Sequence, residues 1–133
     1  MTLHQWLKNK RELMKKIRIG VSGVKEYSNK VKVKKSIFEL NKFFEGHLII
    51  CTRGKKNGAE ALARKYANEF DIECEDIKPF QKSIKAQFGS SKRLAQSIDS
   101  LFVFINNKDD LPANLQTLIK ETKKQNKKVV FKS

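Results

Sequence analysis

The sequence is poor in the residues that cross-link or interrupt a chain, with 2 cysteines, 2 prolines and 6 glycines among 133 residues. Cys51 and Cys74 fall in predicted strands, which favours buried thiols over a disulfide framework and fits a reducing cytoplasm. His4 and His47 are isolated, and no cluster of cysteine and histidine has metal-ligand spacing. We therefore expect no metal site and no resident cofactor.

Long apolar runs are also missing. No run approaches the roughly 20 residues that a helix needs to cross a bilayer, and the N-terminus carries no apolar segment typical of a secretion signal. We expect a cytoplasmic protein with no membrane partner. Hydrophobic residues make up 39% of the chain and include 9 phenylalanines, which is typical of one folded globular domain.

Acidic residues are scarce, since 14 of them face 29 lysines and arginines, for a net charge of +15. An excess of this size attracts polyanions. Basic residues concentrate over 8–18 and 120–132, whereas acids concentrate over 69–76. Lysine outnumbers arginine, which argues against base-specific readout of a nucleic acid. A solvated lysine-rich surface is the alternative explanation.

Apolar residues recur at helical spacing near the N-terminus, where they predict an appended amphipathic basic helix over residues 1–15. The remaining residues, 16–133, alternate strand and helix patterns. Strands are predicted at 17–21, 48–51, 72–77, 101–105 and 128–131. Helices are predicted at 30–45, 59–70, 89–98 and 112–125, the third of them after a loop over 78–88 and capped by Ser90 or Ser91.

This alternation predicts an α/β, Rossmann-like, doubly wound five-stranded parallel sheet with strand order 3-2-1-4-5. Ligands of such sheets bind beyond the carboxyl ends of the strands at the switch point, here between the first and fourth strands. The core should include these six side chains: Ile19, Val21, Ile49, Cys51, Val103 and Ile105.

Two glycine-bearing loops follow the first two strands and lead into helices: Ser22 to Asn29, and Thr52 to Glu60. Glycine permits close backbone approach to a ligand, and a helix N-terminus favours phosphate. Neither loop has the spacing of a P-loop, and an ordinary strand–turn–helix junction is the alternative interpretation. The candidate ligand-binding residues are Ser22, Gly23, Lys25, Tyr27, Arg53, Gly54, Gly58, Ala59 and Glu60.

With these loops in view, residues 16–132 resemble the small stand-alone YspA-type members of the SLOG superfamily of Rossmann-like domains. Relatives include the Lonely Guy phosphoribohydrolases and the DNA-processing protein A domain. The resemblance rests on Gly20 to Tyr27, on Arg53-Gly54 with Gly58-Ala59-Glu60, and on Leu94-Ala95 and Asp99 before the fourth strand. It implies binding of a nucleotide or nucleotide-derived ligand by the loop residues named above.

The chain departs from this pattern after the fourth strand. Related enzymes carry a glycine-rich phosphate loop followed by a catalytic glutamate, but residues 106–114 contain no glycine. Asp109 and Asp110 occupy a predicted helix N-terminus and would repel phosphate. We therefore lean against an enzyme, and we expect Glu26 and Glu60 to be solvated or capping residues rather than acid–base groups.

Three functions follow in order of support. The first is a binding domain for a nucleotide or nucleotide-derived ligand, acting as a sensor or sequestering protein. The second is sequence-independent binding of RNA or DNA, and the third is hydrolysis of a nucleotide N-glycosidic bond. Self-association is left open. The candidate nucleic-acid-binding residues are Lys8, Lys10, Arg11, Lys120, Lys123, Lys124 and Lys127.

Overall fold

A computed structural model describes residues 2–3, 16–79, 84–106 and 111–133. The predicted N-terminal helix over residues 1–15, with Lys8, Lys10 and Arg11, lies outside these residues except for positions 2 and 3. Strands and helices alternate along the described chain. They are β1 (Ile17–Gly23), α1 (Lys30–Phe43), β2 (Leu48–Thr52), α2 (Gly58–Glu69), β3 (Glu73–Asp76), α3 (Ile84–Ser97), β4 (Ser100–Phe104), α4 (Ala113–Lys124) and β5 (Lys128–Lys132).

The strands form one five-stranded sheet of order β3-β2-β1-β4-β5 in which every neighbouring pair is parallel. Both the predicted topology and the predicted order are therefore confirmed. β2 is buried along its whole length, as a central strand covered on both faces must be. β3 forms one edge of the sheet, and three of its four side chains are exposed, which explains its acidic residues.

The sheet is covered by α1 and α2 on one face and by α3 and α4 on the other. Ile19, Val21 and Gly23 alternate toward the α1–α2 face, where a Cβ at Gly23 would meet the Ala59 Cβ at 2.8 Å. Gly20 points to the opposite face, toward Ile98. All six side chains that the sequence predicts in the core are buried.

Local signals explain both ends of α1. Asn29 precedes α1, and its side-chain oxygen accepts a hydrogen bond from the Lys32 N–H at 3.1 Å, which caps the helix. Gly46 follows α1 with φ of +81°, and its N–H donates to the Asn41 carbonyl at 2.9 Å. This left-handed C-terminal geometry favours glycine.

The start of α3 differs from the prediction. The helix already includes Ile84, so Ser90 and Ser91 lie in its interior and not at its N-terminal cap. Both serines are buried, with exposures of 1% and 0%. Gly89 lowers the stability of the helix by only about 1 kcal/mol relative to alanine, and tertiary packing of α3 overrides this cost. The Ser91 hydroxyl finds its partners within the fold, since it accepts from Arg53 and donates to the Asn114 carbonyl.

Two glycine-to-alanine changes should move stability in opposite directions. A Cβ at Gly23 would lie 2.2 Å from the Phe104 carbonyl oxygen, whereas a Cβ at Gly89 in α3 has only Arg93 Nη1 nearby, at 3.8 Å. We expect Gly23→Ala to lower the free energy of unfolding by about 1–3 kcal/mol through overpacking. Gly89→Ala should raise it by up to about 1 kcal/mol. Urea unfolding followed by circular dichroism measures both changes, and shifts of the same sign would contradict this packing.

Candidate functional site

A cleft of about 430 Å³ opens at the carboxyl end of the sheet. It lies beside the ends of β1 and β2 and reaches the start of α4, which follows β4. This is the switch point of the doubly wound order, where the sequence predicts a ligand. Its lining residues are Gly23, Lys25, Glu26, Arg53, Lys55, Lys56, Asn57, Glu60, Pro112 and Asn114.

A buried ion pair forms the floor of the cleft. The side chains of Arg53 and Glu60 are 2% and 1% exposed. Arg53 Nη2 and Nε donate to Glu60 Oε2 at 2.8 and 3.1 Å, and the Arg53 backbone N–H donates to Glu60 Oε1 at 2.6 Å. The prediction that Glu60 is solvated or a helix cap is therefore wrong, because its carboxylate neutralises a buried guanidinium.

Two serine hydroxyls complete this cluster. Ser22 Oγ donates to Glu60 Oε2 at 2.9 Å and accepts from Arg53 Nη2 at 2.7 Å. Ser91 Oγ accepts from Arg53 Nη1 at 3.1 Å. The four residues join β1, the loop after β2, α2 and α3. Since the two charges compensate each other and are hydrogen-bonded, the floor of the cleft is electrically neutral.

A second network braces the loop between β2 and α2. Thr52 Oγ1 donates to Asp76 Oδ1 at 2.6 Å and accepts from the Gly54 N–H at 3.0 Å. Arg64 of α2 donates to the Lys55 carbonyl, and its Nε lies 3.9 Å from Asp76. The loop is thus held from both sides, which fixes the backbone that carries Lys55.

Lysines make the rim of the cleft positive. Lys25 and Lys56 are exposed, while Lys55 is partly buried. Burial lowers the pKa of Lys55, the nearby Arg53 charge lowers it further, and Glu60 opposes both effects. An anion placed in the cleft would favour the charged form of Lys55 and be attracted by it in return.

Two helix N-termini also meet the cleft, since Asn57 precedes α2 and Pro112 precedes α4. Within the described chain, the Asn57 side chain makes no capping hydrogen bond to α2, and proline has no polar side chain to offer. First-turn N–H groups and the positive ends of both helix dipoles therefore lie at the cleft, beside the lysines.

Packing within the protein explains why the two loops contain Gly23 and Gly58. Gly58 has φ of +72°, and a Cβ there would lie 2.5 Å from the Val24 carbonyl oxygen. A Cβ at Gly23 would meet Phe104 and Ala59. The close backbone approach that the sequence suggests is therefore made by the protein itself, where the loops after β1 and β2 pack together.

The structure divides the predicted ligand-binding residues into two groups. Gly23, Lys25, Arg53 and Glu60 line the cleft, and Ser22 lies beneath it in the floor cluster. The remaining four predicted residues are not among the lining residues: Tyr27, Gly54, Gly58 and Ala59.

Tyr27 belongs to the core. It is 3% exposed, and its ring centroid lies 5.4 Å from that of Phe104. The Tyr27 hydroxyl has no hydrogen-bond partner among the described residues, and burial raises the pKa of this side chain. Its apolar packing, rather than a ligand contact, accounts for its place after the first loop.

Six lining residues are absent from the ligand-binding residues that the sequence predicts: Glu26, Lys55, Lys56, Asn57, Pro112 and Asn114. The predicted strand order could have identified Pro112 and Asn114. The fourth strand lies next to the first strand, so the helix that follows the fourth strand must start beside the first loop. The acidic residues Asp109 and Asp110, which argued against this helix as a phosphate site, lie outside the described residues.

The lysines of α4 and the turn after it have unequal surroundings. Lys120, Lys123 and Lys124 are exposed, and the Lys123 ammonium lies 5.8 Å from the Phe131 ring centroid. Lys127 Nζ donates to the carbonyls of Ala95 and Gln96 at 2.8 and 3.0 Å. It therefore caps the C-terminal end of α3.

Two other kinds of site are missing from the part of the chain that the structure describes. No helix there has the length and apolar character to cross a bilayer. No group of three or more histidine, cysteine, aspartate or glutamate side chains gathers there to hold a metal ion.

No protein-family model matches the sequence, and no curated protein matches it. Among solved structures, the fold is similar to that of "the molybdenum cofactor binding protein from the phototrophic bacterium Rippkaea orientalis". The TM-score is 0.66 at 18% sequence identity, over 89% of this chain and 77% of that chain. At this identity the likeness shows a Rossmann-like α/β fold.

Loss of the Glu60 charge should be costly because it leaves Arg53 buried without a counter-ion. We expect Glu60→Gln to lower the free energy of unfolding by about 3–5 kcal/mol, measured by urea unfolding at pH 7. Glu26→Gln removes an exposed carboxylate of the same cleft and should change stability by less than about 0.5 kcal/mol. Equal, small effects of both substitutions would contradict the floor described above.

Proposed function

We propose that the cleft binds a nucleotide or nucleotide-derived small molecule and holds its phosphate at the rim. The observation that carries this proposal is the separation of charge: a neutral floor lies beneath a rim of Lys25, Lys55 and Lys56. Two helix N-termini reach the same rim. Such an arrangement attracts an anionic group without placing an unpaired buried charge in the empty site.

The size and polar groups of the cleft support a ligand larger than free phosphate. A volume of about 430 Å³ falls within the range of about 300–1,000 Å³ typical of small-molecule sites. Glu26, Asn57 and Asn114 supply hydrogen-bonding groups on its walls, which suit ribose hydroxyls and the edge of a base.

The solved structure of similar fold supports a small-molecule partner, because that protein is described as a molybdenum cofactor binding protein. The molybdenum cofactor is accordingly a second ligand class to test. The resemblance of the loops to the YspA-type SLOG domains favours the nucleotide. The proposal includes both ligand classes, and direct measurement of their affinities distinguishes between them.

We infer binding, as a sensor or sequestering protein, rather than hydrolysis. Glu60 is held by Arg53 and Ser22, so an acid–base role would require breaking a buried ion pair. Glu26 is exposed to solvent, whereas a carboxyl group that acts as a general acid near neutral pH needs an enclosed, apolar setting. These positions suit recognition of a ligand better than proton transfer to its glycosidic bond.

Adenosine 5′-monophosphate should bind measurably, and adenosine at least tenfold more weakly, because the rim recognises phosphate. Calorimetry at low ionic strength measures both affinities. Lys55→Gln should weaken the nucleotide at least tenfold, or more than about 1.4 kcal/mol. Lys128→Gln is the matched control, since this exposed lysine begins β5 at the opposite end of the sheet.

Affinity should also depend on pH through Lys55. Because its pKa is lowered, the ammonium loses its proton at a lower pH than an ordinary lysine, and nucleotide affinity should fall as pH rises through that range. Lys55→Arg, which stays charged, should remove this fall. Equal affinity for the nucleotide and adenosine, or failure of every nucleotide and of the molybdenum cofactor to bind, would overturn the proposal.

A further inference from the structure

Exposed large hydrophobic side chains are concentrated on α1. Among the described residues from 16 onward, those with high exposure are Val31 at 77%, Phe38 at 53% and Phe43 at 79%. All three lie on this one helix, which also carries five lysines and a single acid, Glu39. A surface helix normally turns its apolar side chains toward the core and its polar side chains toward solvent. The three exposed apolar side chains of α1 depart from this pattern.

The outward side of α1 combines both kinds of residue. Val33 and Ile37 point into the core. At 100° per residue, the positions opposite them recur at intervals of three and four residues. We define the α1 outer face as Val31, Lys34, Lys35, Phe38 and Lys42.

Two of these lysines are not held in an ion pair within the described chain. Lys34 pairs with Glu69 at 3.2 Å, but Lys35 and Lys42 form no ion pair with any acid of the described chain. The nearby β5 end adds Lys132, which lines a groove of about 310 Å³ together with Lys32, Lys35 and the one acid of the helix, Glu39, so cations outnumber acids there by three to one. The α1 outer face is therefore electropositive.

Phe38 is held in place by other rings. It meets Phe70 edge to face at a centroid distance of 5.7 Å, and Phe70 stacks on the buried Tyr66 at 6.5 Å. About half of the Phe38 side chain still faces solvent. A ring fixed in this way loses little rotamer freedom when a second flat group stacks on it.

The charge of the α1 outer face restricts what can cover it. A second copy, docked about a two-fold axis, would bring the lysines of this face against themselves. An anionic partner removes that repulsion. Exposed lysines beside an exposed aromatic ring match the requirements of single-stranded nucleic acid, in which phosphates meet cations and unpaired bases stack.

We propose that the α1 outer face binds single-stranded RNA or DNA without sequence preference, with a base stacked on Phe38 and phosphates beside Lys35 and Lys42. α1 contains no arginine for bidentate readout of a base edge. The face is separate from the cleft at the carboxyl end of the sheet and does not depend on it. It also differs from the lysines of α4, which lack an equally exposed ring.

The test is fluorescence anisotropy with a labelled 12-nucleotide oligothymidylate across a salt series. The double variant Lys35→Gln/Lys42→Gln should bind more weakly, and its slope of log affinity against log salt should be shallower by roughly 0.7 for each phosphate that is no longer neutralised. Lys120→Gln/Lys124→Gln removes the same charge from α4 and is the matched control. It should retain the wild-type slope.

Stacking is tested separately. Phe38→Leu keeps an apolar side chain without a π-face and should weaken the oligonucleotide about fivefold or more, whereas Phe38→Trp should retain its affinity. Both variants must keep the wild-type circular dichroism spectrum. Absence of binding at low salt, or equal losses from the two lysine pairs, would overturn the proposal. An unchanged Phe38→Leu affinity with equally effective competition by polyglutamate would assign the face to acidic proteins and also overturn it.

Discussion

The buried pair of Arg53 and Glu60 is the constraint on which the carboxyl end of the sheet depends. Removing two charges from water costs several kcal/mol for each ion, and the cost is offset only by close pairing and additional hydrogen bonds. The structure supplies both, because Ser22, Ser91 and the Arg53 backbone N–H complete the pair. A partly formed cluster would leave a buried charge unpaired, so β1, the loop after β2, α2 and α3 must meet in one arrangement.

This constraint shapes the cleft. Because Arg53 is already neutralised by Glu60, the anion that we propose as ligand would meet its positive charge at the lysines and helix N-termini around the rim. The second brace, through Thr52, Asp76 and Arg64, holds the loop that carries two of those lysines. The loop would then lose little conformational entropy on binding the proposed ligand, which favours affinity. Gly58 fits the same account, because its lack of a side chain lets the loops after β1 and β2 contact each other.

The sheet could be predicted because its signals are local or topological. Runs rich in β-branched residues mark β1 and β2, a run of Leu, Phe and Val marks β4, and alternation with helices fixes parallel pairing and strand order. The α3 boundary could not be predicted in the same way. Serine is a favoured cap and also a small, hydrogen-bonding residue for close helix packing, and only the tertiary partner Arg53 distinguishes the two roles of Ser91.

The candidate site was predictable in position but not in chemistry. The switch point located the cleft, and the loop residues Gly23, Lys25, Arg53 and Glu60 line it. The pairing of Arg53 with Glu60 spans a turn and the start of a helix, so no periodicity of the sequence reveals it. The same limit applies to Asn114, which approaches only when α4 packs beside α3.

The most direct test of the central claim is a backbone amide NMR titration with adenosine 5′-monophosphate. Saturable shifts should be largest at residues 23–26, 55–60 and 113–115, where the two loops and the α4 N-terminus surround the cleft. Inorganic phosphate should shift a subset of the same amides. Shifts confined to other parts of the sheet, or no saturable shift at millimolar nucleotide, would contradict a phosphate-recognising cleft.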